Sequence, residues 1–102
     1  MKALLRIYID ESTRAKEHGT GLRALVDAAV VADLAGATAF KGVLGYGRSR
    51  YVSSTYSVDT YVALPIVLQI VDDEEKLLAF LPIVERTVTG GTVSLARVTV
   101  LR

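Results

Sequence analysis

The chain has 102 residues, 51% of them apolar and 23% charged, with twelve lysines and arginines against eleven carboxylates. That composition excludes a disordered chain and predicts one compact domain, and a net charge of +1 argues against general affinity for nucleic acid or an anionic membrane. The absence of cysteine and the single histidine, His18, exclude disulfides, thiol catalysis, cysteine-based metal sites and a multi-histidine metal site within one chain.

The longest uncharged stretch, Thr60–Val71, holds Pro65 and Gln69 and falls well short of the roughly 20 residues that cross a bilayer. Arg6 and Asp10 interrupt the apolar start, so it does not read as a secretory signal and the expected location is the cytoplasm. A domain of this size buries only about 60–65% of its unfolded surface, so 51% apolar residues are more than a lone monomer easily hides.

Taken in chain order, Ala3–Ile9 alternates as a strand, with Ala3, Leu5, Ile7 and Ile9 on one face. Asp10–Thr20 is polar and predicts a mobile loop, closed by Gly19-Thr20-Gly21, where Thr20 caps a helix. Leu22, Leu25, Val26, Ala29 and Ala32 carry helical periodicity from Gly21 to about Ala35, with Gly36 as its stop. Ala37–Val43 reads as a second strand. Leu44–Thr60 has no sustained buried pattern, and a connection of that length in a small domain is usually functional or disordered.

Val62–Val71 is apolar on both faces, as in a central strand, although Pro65 cannot donate to a ladder and places the start at an edge, at a bulge or outside the pairing. Asp72-Asp73-Glu74-Glu75 predicts a helix start with Asp72 as cap, followed by a buried stripe of Leu77, Phe80, Leu81, Val84 and Val88. Pro82 is expected to kink or divide that helix near Leu81, and Gly90-Gly91 to end it. The last segment slips phase at Ala96-Arg97, which predicts two short strands, one with Val93 and Leu95, the other with Val98 and Val100. The order predicts an α+β domain, a ferredoxin-like βαββαβ fold whose four-stranded antiparallel sheet has both helices on one face.

The residues offer little for catalysis, and the chain reads as a non-enzyme. His18 lies in a polar, glycine-flanked loop and reads as solvated; Asp72–Glu75 reads as helix capping; Asp10 and Glu11 read as solvated at a strand end. The segment Lys41-Gly42-Val43-Leu44-Gly45-Tyr46-Gly47-Arg48-Ser49-Arg50 is the best candidate for binding, in a stretch from Asp33 to Asp59 with no acidic residue between. It is neither a dinucleotide fingerprint nor a P-loop. Its glycines allow close backbone approach to an anion, and Lys41, Arg48 and Arg50 carry charge for phosphate or carboxylate; a solvated hairpin tip fits the same residues. Thr89-Gly90-Gly91-Thr92 read alone is a C-capping turn, yet the predicted topology brings it to the same end of the sheet as the first glycine segment.

Four segments carry a family resemblance: LLRIYIDES at Leu4–Ser12, AGATAFKGVLGYG at Ala35–Gly47, LPIVLQIVDDEEKLLAFLP at Leu64–Pro82 and GGTVSLARVTV at Gly90–Val100. In this order they resemble the PII-like proteins of domain of unknown function 190, relatives of the PII nitrogen-signalling proteins. The resemblance implies one PII-like domain over residues 1–102, a homotrimer with its sheets packed around an axis, and ligand clefts between subunits. Residues 44–60 take the place of the T-loop, which in PII responds to adenine nucleotides and docks on transporters or enzymes. The resemblance puts Gly45, Tyr46, Gly47 and Arg48, with Lys41, Gly42 and Arg50, at the loop base, and Gly90, Gly91 and Thr92 at the phosphate-wrapping turn, with Arg97 or Arg102 reaching phosphate from an adjacent subunit.

The turn has no lysine where PII has one, which implies AMP or ADP rather than tightly bound ATP as effector. Tyr51, Tyr56 and Tyr61 lack the pattern of the PII modification site. The implied partner is a membrane transporter or a metabolic enzyme of inorganic-carbon or nitrogen metabolism, with no nucleic acid and no membrane insertion. The alternative is a constitutive trimeric adaptor that senses no nucleotide. A divalent-metal protein like the similarly folded copper-tolerance family is disfavoured by the lone His18 and the absent cysteines.

Overall fold

The computed structural model describes residues 1–56 and 62–102. Its first element, β1 (Lys2–Asp10), buries Ala3, Leu5, Ile7 and Ile9 and turns Leu4, Arg6 and Tyr8 to the other face. The polar segment after it, expected to be mobile, is fastened by backbone bonds: Gly21 donates to the Thr13 carbonyl at 2.8 Å, and Lys16 to that of Thr87 at 2.8 Å. Thr20 caps α1 (Gly21–Val31) as expected, its hydroxyl accepting from Arg23 N–H at 3.3 Å.

That helix ends at Val31, four residues before the predicted end at about Ala35. Asp33 takes the left-handed conformation at φ 57°, Asp33 N–H donates to Val30, and Leu34 N–H reaches back to Ala29 at 3.1 Å. This bonding pattern satisfies the last carbonyls, and a short aspartate tolerates it well enough that Gly36 is not needed. The next strand, β2 (Thr38–Lys41), is shorter than predicted and exposed throughout. Within the long connection, β3 (Leu44–Gly45) and β4 (Ser53–Ser54) form a two-residue antiparallel ladder, extended by a bond from Thr55 N–H to Val43.

Pro65 opens β5 (Pro65–Asp73), a first-residue position where its missing donor is tolerated; residues 62–64 precede the strand. The strand runs on through Asp72 and Asp73, so α2 (Glu74–Thr87) starts two residues after the predicted cap. Asp73 makes no side-chain cap bond, and Glu74 N–H donates instead to the Met1 carbonyl at 2.8 Å. Pro82 does not divide α2, which continues for 14 residues before Val88, ahead of Gly90. Finally, β6 (Thr92–Arg97) is one strand; the predicted second strand over Val98–Val100 is not formed, although Val98 N–H still bonds to the Lys2 carbonyl at 3.1 Å.

The sheet order β2-β5-β1-β6 is antiparallel throughout, with β1 and β5 central. Leu5 stands opposite Ile70 and Ile7 opposite Leu68, and this face packs with Leu25 and Ala29 of α1 and Leu77, Phe80 and Val84 of α2 in one core. Both helices therefore cover the same face. The opposite face carries Leu4, Arg6 and Tyr8 beside Val71, Gln69 and Val67, with Phe40 opposite Val67, and no element of this chain lies over it among the described residues.

Candidate functional site

The register of the sheet puts the end of β1, the start of β5 and the start of β6 together at one end, because β1 pairs Asp10 with Pro65 and Tyr8 with Thr92. The β3–β4 hairpin folds back to the same end, where Pro65 seats its ring against Gly42 and Gly45. A Cβ on Gly42 would stand 2.7 Å from Pro65 Cγ, so this close approach requires glycine. Across from it, Gly91 lies at φ +82°, and a Cβ there would come within 2.5 Å of the Tyr8 carbonyl oxygen. The two glycine turns thus converge, as the topology predicted, on a cleft of about 780 Å³.

Of the sequence candidates, Gly45, Tyr46, Gly47, Arg48, Gly91 and Thr92 line that cleft. Tyr8, Asp10, Ser12, Thr13 and Tyr51 line it too, and the sequence reading did not single them out for it. A Gly47–Arg50 turn, closed by Arg50 N–H on the Gly47 carbonyl at 2.9 Å, presents Arg48. Arg50 itself sits at φ 63° and places its guanidinium 5.9 Å from the centre of the Tyr46 ring, outside the cleft lining.

Lys41 is held away from the lining by Glu11, at 2.8 Å, and Gly42 packs under Pro65. Gly90, at φ +79°, lines a second cavity of about 470 Å³ between α2 and β6. Arg97 lies at the far end of β6, five residues and roughly 17 Å of strand from Thr92, where it pairs with Glu74 at 3.2 Å. Arg102 is an exposed terminal residue. Tyr56 is exposed, while Tyr61 and the end of the 44–60 segment lie outside the described residues.

Asp10 and Glu11 are not simply solvated. Asp10 Oδ1 accepts from Ser12 N–H at 2.7 Å and from the Ser12 hydroxyl, an Asx-turn that shapes the cleft wall. The Asp-x-Ser spacing was the available signal for it. Glu11 accepts from Lys41 and from Leu64 N–H at 2.8 Å; the Lys41 contact first, then the Leu64 bond, hold its carboxyl below the usual range against the opposing effect of desolvation. Arg48 and Asp10 are the only charged side chains lining the cleft among the described residues, so the lining carries one guanidinium and one carboxylate. Glycine backbone, the hydroxyls of Ser12, Thr13 and Thr92 and the tyrosines Tyr8, Tyr46 and Tyr51 complete a surface suited to a small ligand that is partly polar and partly aromatic.

Residues 2–100 match the family model DUF190, Uncharacterized ACR. The chain is also 35% identical over 82 residues to a UPF0166 protein of Aquifex aeolicus (strain VF5), covering 78% of this chain and 75% of that protein. The chain therefore belongs to the DUF190 family of PII-like proteins.

Proposed function

We propose that this protein is a non-enzymatic PII-like signalling module, a homotrimer that binds AMP or ADP in preference to tightly held ATP and passes occupancy to a protein partner through the hairpin-bearing loop. The observation that carries this reading is the convergence of Gly45-Tyr46-Gly47-Arg48 with Gly91-Thr92 on one cleft. Glycine amides and one guanidinium suit a single phosphate, and Tyr46 and Tyr51 offer faces for a purine. The uncovered sheet face supports a trimer, in which Arg97 or Arg102 reaches a cleft from a neighbouring subunit. The signal is a population shift, in which ligand binds one loop arrangement more tightly than another. The partner class is a membrane transporter or an enzyme of inorganic-carbon or nitrogen metabolism.

Calorimetric titration with ATP, ADP, AMP and cyclic AMP tests the reading. AMP and ADP are expected to give saturable heat, and Arg48→Ala to weaken binding by about tenfold or more, the worth of a hydrogen bond to a charged group. No heat and no thermal shift with any of the four overturns it. The β3–β4 ladder gives the loop a defined shape, which favours the alternative of a constitutive adaptor. Partner capture indifferent to nucleotide identifies that case.

A further inference from the structure

Glu11 joins the two ends of the loop. Its Oε2 lies 2.8 Å from Lys41 Nζ at the end of β2, its Oε1 accepts from Leu64 N–H at 2.8 Å just before β5, and its own N–H donates to the Leu64 carbonyl at 3.0 Å. Gly42 N–H donates to the Pro65 carbonyl at 2.7 Å and closes the same base. Both the entry to and the exit from residues 42–63 are therefore fastened at one carboxylate.

That carboxylate stands between Asp10 and Ser12, both on the cleft wall, and Lys41 is the cross-strand partner of Ile66, which also lines the cleft. The lining contains one cation, Arg48, and one carboxylate, Asp10, so an arriving phosphate draws further charge from beside the cleft: Arg50 over the Tyr46 ring, and Lys41 at the loop base, which is the one held by Glu11. Both members of the Glu11–Lys41 pair reach solvent, and an ion pair in that setting exchanges partners at little cost. A phosphate offers Lys41 more acceptor oxygens than a carboxylate already shared with Leu64.

We propose that Glu11 is a clasp that competes with a bound phosphate for Lys41: an anion in the cleft draws the ammonium away, and the base of the loop loosens. The inference rests on the nucleotide reading for the identity of the anion. It assigns to Glu11, a residue outside the lining, the coupling between cleft and loop. By linkage, a ligand that opens the clasp is bound more tightly when the clasp is already open.

The test uses the full chain with Glu11→Gln, which keeps an acceptor for Leu64 N–H, and Lys41→Met. Amide exchange over residues 43–56 and at Leu64 is expected to quicken in both variants before any ligand is added. AMP is expected to bind Glu11→Gln about twofold to fivefold more tightly than wild type, the span of an exposed ion pair, and Lys41→Met more weakly. AMP that binds the wild type and Glu11→Gln equally overturns the clasp and leaves the nucleotide reading standing. AMP that binds neither removes the nucleotide reading, and the clasp is then decided by inorganic phosphate: tighter binding to Glu11→Gln supports it, and no difference overturns it.

Discussion

Asp72 ties three parts of the chain to one carboxylate. Its Oδ2 accepts from Ala35 N–H at 2.8 Å and meets Lys76 Nζ at 3.5 Å, while Oδ1 accepts from Asp73 N–H at 2.6 Å, all at a residue only 4% exposed. Burial raises its pKa, but the two amides and Lys76 outweigh burial and leave it below the ordinary 3.8. A depressed folded-state pKa stabilises the fold fully at neutral pH, and that contribution fades as pH falls through 3.8 towards the folded value. Asp72→Ala strands two amides and is expected to cost about 2–3 kcal/mol in urea unfolding at pH 7. The gap from wild type should narrow as the same measurement is carried below pH 4. The sequence reading placed Asp72 at a helix cap because local spacing allows it; its bond to Ala35 depends on two segments 37 residues apart meeting, which no local pattern encodes.

At the scale of elements, α2 carries Pro82 in its interior without ending there. The ring removes the donor that Leu78 C=O would otherwise accept, and Pro82 is exposed, so the core does not depend on its shape. Pro82→Ala is expected to stabilise the protein by about 1–3 kcal/mol, read as a higher midpoint in thermal or urea unfolding. Elements were legible where one face is buried: the alternation over Ala3–Ile9 and the Leu77, Phe80, Val84 stripe both lie in the core. Ends were less legible, because tertiary contacts decide them. Asp33 stops α1 in place of Gly36, β5 holds Asp72 and Asp73 against Ala3 and Lys2, and Val98 leaves the sheet. In the same way the two glycine turns of the cleft could be read from composition and topology, whereas Tyr8 enters through strand register and Thr13 through the turn that follows β1.

For the whole molecule, the accessible surface of 7131 Å² exceeds the roughly 5,600 Å² expected of a folded monomer of this mass. Part of the excess is the uncovered sheet face, where Tyr8, Phe40 and Val71 are each more than two-fifths exposed. The face is apolar at Leu4 and Val71 and again at Tyr8, Val67 and Phe40, with the polar row Ser94, Arg6, Gln69 and Thr38 between them, and a second and third copy of the chain are its proposed cover. Val71→Glu places a charge on that face and is expected to shift sedimentation from the trimer to the 11.0 kDa chain. A wild-type mass already at that of one chain would remove the trimer from the proposal.

The central position of β1 also sets the order in which this protein acquires its structure. Its two neighbours are Pro65–Asp73 and Thr92–Arg97, so β1 has no partner in this sheet until β5 has been made, and only one until β6 follows. Such distant pairing gives slow, late folding compared with a helical protein of equal length. During synthesis β1 therefore waits as a largely apolar strand with two open edges, and the strand that becomes the middle of the sheet is exposed to mispairing until its neighbours arrive.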